Sequence, residues 1–513
     1  MKPAYGNAIR KACPLAAFAS PEGRLAPALR WLLVAITLVG FHRVSDAQLR
    51  PPELIIVNAT IRTMTSRDAT AEALAVTGNR ISAVGKNAEI KKFAGPGTRV
   101  IDAGGKLILP GFNDSHVHFM GIGNTFSSMD LREVKSGVEV IERIKRYVSF
   151  LPKGRWILGS GLPKTVGDSL TRKSLDEVSP ANPIFLYYSG ASTALANTSA
   201  FDRARLKDDA TSIVSGDAMR RIAHVVPQDH TRNWPEIAEA ATNYAASLGV
   251  TSVQDMHSDD SRAIYLELQK QGKLKTRVYD CLGIRERQKL LDTRLPKSSG
   301  AMVTDGCLKA FSDGDAADAG SLQTQIAAAD KVGIQVMVHA IGNSANRIVL
   351  AAFEQTTKRN GVRDRRFRVE HAHNPLIDDL PRFARSKIVA SMQPKLFEYG
   401  EGEYYATLLK QGASLALGSD AAMIDLDPLL GIHAAVNAAV ESISVYDAVR
   451  SYTVGSAFAE FQEKEKGTIE TGKLADFVIL SDDIFTLDRS TIHEAKVLRT
   501  FVDGREVYYS GEN

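Results

Sequence analysis

Cysteine is scarce in this chain of 513 residues, which contains only Cys13, Cys281 and Cys307. No CxxC pair or cysteine/histidine ribbon spacing is present, so the sequence predicts neither a disulfide framework nor a structural zinc ribbon. A block of like charge is also missing, because the 63 basic and 59 acidic residues are mixed along the chain, with a net charge of +4. This pattern argues against a nucleic-acid-binding tail. The 44% of hydrophobic residues excludes a disordered or collagen-like chain.

Long apolar runs are missing as well, apart from one near the N-terminus. Arg30 precedes apolar residues 31–41, a run with the length of the h-region of an export signal and too short to cross a bilayer comfortably. Ser45 and Ala47 then supply small residues for a cleavage site. We interpret residues 1–47 as a signal peptide or N-terminal leader and expect an exported protein, periplasmic or secreted. An uncleaved membrane anchor is the alternative.

Strand patterns dominate both ends of the remaining chain. Residues 53–110 alternate β-branched and polar positions, and residues 463–513 contain Asp503-Gly504 between two strand-like runs, a strong hairpin signal. These two segments are predicted to be β-structure.

Residues 111–462 instead alternate short apolar strands with amphipathic helices, as in βαβ units. A strand at 184–188 is assigned to an insertion. The other eight strands suit a (β/α)₈ barrel, and they fall at 107–113, 250–253, 277–279, 308–311, 334–338, 368–370, 388–391 and 414–417.

The strongest chemical signal is a pair of histidines, His116 and His118, after the first of these strands. Side chains two residues apart on a strand point to the same face, so both imidazoles can reach one metal ion. His339, His371 and Asp420 follow three later strands. All five therefore fall at the carboxyl ends of strands, the face where such barrels carry out chemistry. Each histidine alone is more simply a core residue, but the set favours a metal site.

Lys309 lies inside the apolar run 307–311. A buried, unpaired ammonium is costly, so burial would lower its pKa towards the neutral amine. A neutral amine can add CO₂ to form a carbamate that bridges two cations. A lysine that points outward to solvent is the alternative, and spacing alone does not decide between them.

Several motifs together resemble the amidohydrolase superfamily, and most of all its YtcJ-like branch, which includes N-substituted formamide deformylase. The motifs are Gly111-Phe112-Asn113-Asp114-Ser115-His116-Val117-His118, Val338-His339-Ala340-Ile341-Gly342, Arg368-Val369-Glu370-His371-Ala372 and Leu417-Gly418-Ser419-Asp420. The resemblance covers about residues 53–510.

The resemblance implies a metal-binding (β/α)₈ TIM barrel with a small β-sandwich formed from both chain ends. It implies that His116, His118 and Asp420 bind one divalent metal and that His339 and His371 bind a second. Lys309 would be the carboxylated lysine that bridges them. Zinc is the expected metal, with one or two ions per chain.

The chain departs from its relatives at positions expected to line the pocket. Asn343 and Ser344 stand where relatives have Asp-Arg, Lys395 and Leu396 follow Gln393-Pro394 where many have a histidine, and Ala191-Ser192 replaces a Gly-His. The substrate is therefore expected to differ from that of the formamide deformylase.

The resemblance implies hydrolysis of a C–N bond, a linear amide or an N-acyl or N-formyl bond, by metal-activated hydroxide, with Asp420 as the catalytic base. One alternative is a deaminase of the same superfamily. It is disfavoured, because such enzymes usually have a glutamate shortly after the histidine that corresponds to His339, and this chain has no acid there. A non-catalytic regulatory protein that kept the fold is the other alternative, since this branch includes exoenzyme regulatory proteins. The expected partner is a small-molecule substrate, with no nucleic acid and no membrane beyond the N-terminal signal or anchor. The sequence does not decide whether the chain forms a homo-oligomer.

Overall fold

The computed structural model describes residues 51–511 apart from 126–128, 190–192, 207–210, 228–233, 258–260, 297, 398–401 and 422–424. The predicted leader, residues 1–47, lies outside this part of the chain, as do Ala191 and Ser192. Among the described residues, no helix combines the length and the apolar character that a membrane crossing requires.

The centre of the protein is a sheet of eight parallel strands, each paired with the next in chain order. They are β1 (Phe112–Val117), β2 (Val250–His257), β3 (Arg277–Gly283), β4 (Val303–Ser312), β5 (Gln335–Ile341), β6 (Arg368–His373), β7 (Val389–Met392) and β8 (Ser414–Leu417). Most of their side chains are buried, as expected for a parallel sheet covered by helices. The predicted (β/α)₈ barrel is confirmed.

Helices lie between these strands and after the last of them. They are Phe119–Thr125, Trp234–Ser247, Ser261–Lys270, Arg287–Asp292, Ala319–Lys331, Asn343–Asn360, Leu380–Arg385, Tyr405–Lys410, Pro428–Asn437, Val445–Arg450 and Ser456–Ala459.

The barrel closes between β1 and the segment that follows β8. Val117 pairs in parallel with Ala421, and the backbone N–H of Asp420 donates to the carbonyl of His116 at 2.8 Å. Closure thus joins two residues that are about 300 positions apart in the sequence.

The predicted first strand, 107–113, is two strands rather than one. Leu107–Pro110 pairs with Phe477–Leu480 in a terminal sheet, whereas β1 begins at Phe112 in the barrel. The chain crosses from one sheet to the other at Gly111, where a β-carbon would lie 2.1 Å from the Thr251 side chain. Only glycine fits so close an approach of backbone and side chain.

Two further sheets come from the chain ends. A four-stranded sheet has the order Arg80–Gly85, Ala73–Thr77, Leu54–Val57 and Arg99–Asp102. A six-stranded sheet has the order Arg505–Tyr509, Val497–Val502, Phe477–Leu480, Leu107–Pro110, Thr60–Arg62 and Thr70–Ala71, and so combines both termini of the described chain. The short helix Asn87–Ile90 belongs to the N-terminal part.

A buried ion pair ties this terminal structure to the barrel. Arg277, the first residue of β3, donates to both carboxylate oxygens of Asp476 at 2.6 and 3.0 Å and to Asp503 at 2.9 Å. The fork of a guanidinium matches two carboxylate oxygens, so this contact fixes orientation as well as distance.

The predicted strand at 184–188 belongs to a separate five-stranded sheet inserted between β1 and β2, as expected. Its strands are Met129–Asp130, Ile157–Leu162, Ile184–Tyr188, Thr193–Ala196 and Ile213–Ser215. The helices of this insertion are Gly137–Phe150, Lys164–Gly167, Arg172–Val178, Thr198–Arg203 and Gly216–Val225.

Cys281 and Cys307 form a disulfide between the neighbouring strands β3 and β4. The sparse cysteines did not predict this bridge, because residues 26 positions apart become neighbours only through the parallel pairing of the two strands.

Candidate metal centre

Three of the predicted ligands form a compact cluster at the carboxyl end of the barrel. The carboxylate oxygen Oδ1 of Asp420 lies 3.4 Å from Nε2 of His116 and 3.5 Å from Nε2 of His118. The potential ligand atoms of these three side chains all lie within 4.8 Å of one another. Such a set of two imidazoles and one carboxylate can hold a metal ion.

The other three predicted residues lie directly beside this cluster. The ring centroid of His371 is 5.0 Å from that of His116 and 4.5 Å from that of His339. Nζ of Lys309 lies 3.3 Å from Nε2 of His116, and the lysine is only 5% exposed. Lys309 therefore points into the barrel and not outward to solvent. All six predicted site residues are brought together.

The backbone is left-handed at two of these residues. His371 and Ala372 have φ values of 69° and 47°, and Asp420 has a φ of 60°. Strict alternation would place His371 and Glu370 on opposite faces of β6, and the left-handed turn instead lets both contact the site. A left-handed backbone costs about 1–2 kcal/mol for residues other than glycine.

Each of three histidines is held at Nδ1 by an acceptor outside the cluster. His116 contacts Oε2 of Glu370 at 2.6 Å, His118 contacts the carbonyl of Met256 at 2.8 Å, and His371 contacts Oε1 of Gln393 at 2.7 Å. With Nδ1 donating to an acceptor, the lone pair stays on Nε2. This is the tautomer in which Nε2 can bind a metal ion.

The sequence analysis did not identify Glu370, Arg368 or Gln393 as functional. Arg368 is fully buried and donates from Nε to Glu370 Oε1 at 2.8 Å. A signal for this pair exists: opposite charges two positions apart in a buried strand must share a face and compensate each other. No comparable signal marks Gln393.

The buried polar network continues from Arg368 towards the amino end of the barrel. Arg368 donates to Gln254, Gln254 donates to Asn113 at 3.4 Å, and Asn113 donates to Glu460 at 2.6 Å. All four side chains are at most 2% exposed. A chain of satisfied polar groups therefore runs inside the barrel and ends at His116, a predicted ligand.

Burial sets the charge of the histidines. It lowers the pKa of His116 to about 3 and also lowers those of His339 and His371, and the Lys309 charge adds to the effect. These three imidazoles are therefore neutral near pH 7, as metal binding requires.

The charges of the other groups also follow from burial. It lowers the pKa of Lys309 to about 8 and raises that of Asp420. Although burial alone would raise the pKa of Glu370, Arg368 and His116 hold it well below its usual range.

Asp420 provides a direct test of whether a cation fits. Its Oδ1 is buried and accepts no hydrogen bond from the described residues. A buried carboxylate oxygen without a donor is costly. A divalent cation between this oxygen and the two Nε2 atoms would satisfy it, so the residues fit a metal ion.

The residues at the mouth of the site combine apolar and aromatic side chains with one buried acid. Phe311 lies two positions after Lys309 on β4 and is 62% exposed, and Ile341 lies two positions after His339 on β5 and is 40% exposed. His373 stacks on Phe397 with ring centroids 4.1 Å apart and contacts Glu403 at 2.7 Å. Glu403 is thus buried at the mouth, while its neighbours Glu398 and Glu401 lie outside the described residues.

The sequence matches a known protein family along most of its length. The model of the amidohydrolase family matches residues 99–508. The chain is 32% identical to Protein LONG AFTER FAR-RED 3 of Arabidopsis thaliana, over 90% of this chain and 93% of that protein. It is 26% identical to N-substituted formamide deformylase of Arthrobacter pascens, over 88% and 97%.

Solved structures share the fold. A metal-dependent hydrolase of Pyrococcus furiosus, itself uncharacterised, is 28% identical with a TM-score of 0.60, covering 84% of this chain and all of that one.

Proposed function

This chain is a metal-dependent hydrolase of the amidohydrolase family, and we propose that it cleaves the C–N bond of a linear amide, an N-acyl amine or an N-formyl amine. The observation that carries the proposal is the buried Oδ1 of Asp420, which lacks a hydrogen-bond donor and faces two Nε2 atoms at 3.4 and 3.5 Å. The 26% identity to N-substituted formamide deformylase over most of both chains supports the substrate class.

In this proposal His116, His118 and Asp420 hold one divalent cation, and His339, His371 and carboxylated Lys309 hold a second. Zinc suits a donor set of neutral imidazoles and carboxylates. A cation held there supplies a water of lowered pKa and polarises the substrate carbonyl.

Asp420 is the proposed catalytic base. Burial raises the pKa of its carboxyl, which brings it closer to the range in which a base can accept and then return a proton. The carboxylate takes the proton of the attacking water and passes it to the leaving nitrogen. Glu370 does not compete for this role, because Arg368 and His116 occupy its carboxylate.

Bound metal and reaction products separate the proposal from its two alternatives, a deaminase and a non-catalytic protein that kept the fold. Purified protein would first be assayed for bound metal by elemental analysis, then incubated with N-formyl and N-acyl amines. The proposal predicts a free amine with formate or another carboxylate, whereas a deaminase would release ammonia. A protein that kept only the fold would bind little metal and turn over nothing. His116→Ala should lose bound metal and turnover, whereas the matched control His224→Ala, on the exposed surface of the helix Gly216–Val225, should keep both.

A further inference from the structure

Two histidines outside the candidate metal centre face each other on the protein surface. His433 lies in the helix Pro428–Asn437, and His493 lies in the 3₁₀ helix Arg489–Glu494, 60 residues further along the chain. Their Nδ1 atoms are 3.3 Å apart, whereas their ring centroids are 4.5 Å apart. The two rings therefore approach each other through nitrogen atoms that can bind a metal ion.

Asn437 holds the two segments in this arrangement. It lies one helical turn after His433, and its Nδ2 donates to the carbonyls of His433 and Arg489, both at 2.9 Å. These two bonds use both hydrogens of the amide, so the contact of Nδ2 with Nδ1 of His433 at 3.3 Å is secondary. The backbones of the two segments therefore set the position of His493 relative to His433.

The spacing of the two nitrogen atoms is that of neighbouring ligands on a tetrahedral metal ion. At Zn–N distances of about 2.0–2.1 Å, two nitrogen ligands of a tetrahedral zinc ion lie about 3.3–3.4 Å apart. In the candidate metal centre, Oδ1 of Asp420 lies at a similar 3.4 and 3.5 Å from two imidazoles. A hydrogen bond between the rings is the alternative, but 3.3 Å is longer than the ~2.7–3.2 Å of common N–H hydrogen bonds. A cation would therefore displace only a weak contact.

Solvent reaches both imidazoles. His493 is exposed and His433 is half-buried, so water can complete the coordination of an ion that only two side chains hold. Imidazole ligands suit zinc, copper and nickel, whereas magnesium and calcium prefer oxygen ligands. The chemistry of the pair therefore selects a transition-metal dication.

We propose that His433 and His493 form a separate surface metal site, which binds one zinc, copper or nickel ion through the two Nδ1 atoms. The bound ion joins the helix Pro428–Asn437, which follows the last barrel strand, to the segment that leads into Val497–Val502 of the six-stranded terminal sheet. The site shares no residue with the candidate metal centre, so it stands or fails independently of the proposed hydrolysis.

Zinc content at equilibrium tests the stoichiometry. After dialysis against zinc with magnesium in large excess, the full-length wild type should hold one more zinc ion per chain than either His433→Ala or His493→Ala. Each substitution should weaken binding of this ion at least about tenfold, because the second imidazole acts at a high effective concentration. The control His224→Ala removes an exposed histidine from the helix Gly216–Val225 and should bind zinc as the wild type does. Circular dichroism checks that all variants are folded.

The double variant separates one shared ion from two independent sites. If a single ion binds both imidazoles, His433→Ala/His493→Ala should lose no more zinc than either single variant. A double variant that loses more zinc than each single variant would show that the imidazoles bind separately, and the proposal would be wrong. Equal zinc content in the wild type and all three variants would also overturn it.

Discussion

The carboxylate of Glu370 lies 2.6 Å from Nδ1 of His116, and both side chains are at most 1% exposed. Arg368 donates to the same carboxylate and compensates its charge. The imidazole is therefore held in one tautomer and one orientation, with Nε2 directed at Asp420.

The first prediction is that Glu370→Gln lowers metal affinity by about 10–100-fold, the usual effect of losing a carboxylate that orients a histidine ligand. The amide is nearly isosteric, but Arg368 loses its compensating charge, so stability should fall by about 3–5 kcal/mol. Metal titration and chemical denaturation measure the two effects. Glu354→Gln, which alters a partly exposed pair with Arg382, is the control. Unchanged metal affinity would contradict an orienting role.

The second prediction is that Asp420→Asn keeps the fold and loses most turnover. The side chains have nearly the same shape, and the amide can still offer an oxygen to a metal but cannot accept a proton. Turnover should drop by at least about 10²–10⁴-fold. Metal content and steady-state rates should be measured on the same preparation. Near-normal turnover with metal retained would mean that another group moves the proton.

The third prediction concerns the number of metal ions. If carboxylated Lys309 bridges two cations, Lys309→Ala should lose metal as well as rate, and short carboxylic acids should partly restore activity by occupying the vacated space. Lys309→Glu should keep more metal than Lys309→Ala, because it supplies a carboxylate. Elemental analysis of the three proteins decides this. One metal per chain in both wild type and Lys309→Ala, with normal turnover, would indicate a single-metal enzyme.

The fourth prediction concerns pH. The pKa of Lys309 is lowered to about 8, so below pH 8 the neutral amine that can add CO₂ decreases about tenfold per pH unit. Reactivation of metal-free protein by zinc at constant dissolved CO₂ should therefore accelerate from pH 6 to 8 and level off above. Lys309→Glu needs no CO₂, and its reactivation should not respond to added CO₂ at any pH. A wild-type rate independent of CO₂ would contradict carboxylation.

The fifth prediction is export with cleavage after Ala47. The prediction rests on the basic flank, the apolar run and the small residues before Gln48, a pattern typical of signal peptides. The Cys281–Cys307 bridge is consistent with this, because disulfides persist in oxidising compartments. N-terminal sequencing of the exported protein should begin near Gln48, and a full-length cytosolic chain would refute the prediction.

The sequence by itself determined the barrel and the candidate ligands. Apolar strands alternating with helices require a parallel sheet, and residues that follow parallel strands must meet at one end of it. The sequence alone therefore places five candidate ligands together: His116, His118, His339, His371 and Asp420. Lys309 was assigned to the site only through the resemblance of the chain to the amidohydrolase superfamily, since its position on a strand did not show whether its side chain points inward.

Tertiary structure alone decided how these residues are held. The Glu370–His116 contact joins β6 to β1 across 254 positions. The left-handed backbone at His371 and Asp420 could not be predicted from the sequence, because neither residue is a glycine. The change of sheet at Gly111 depends on the position of Thr251. Local patterns specify which face a side chain takes, whereas its partners across the barrel follow from the packing of the whole chain.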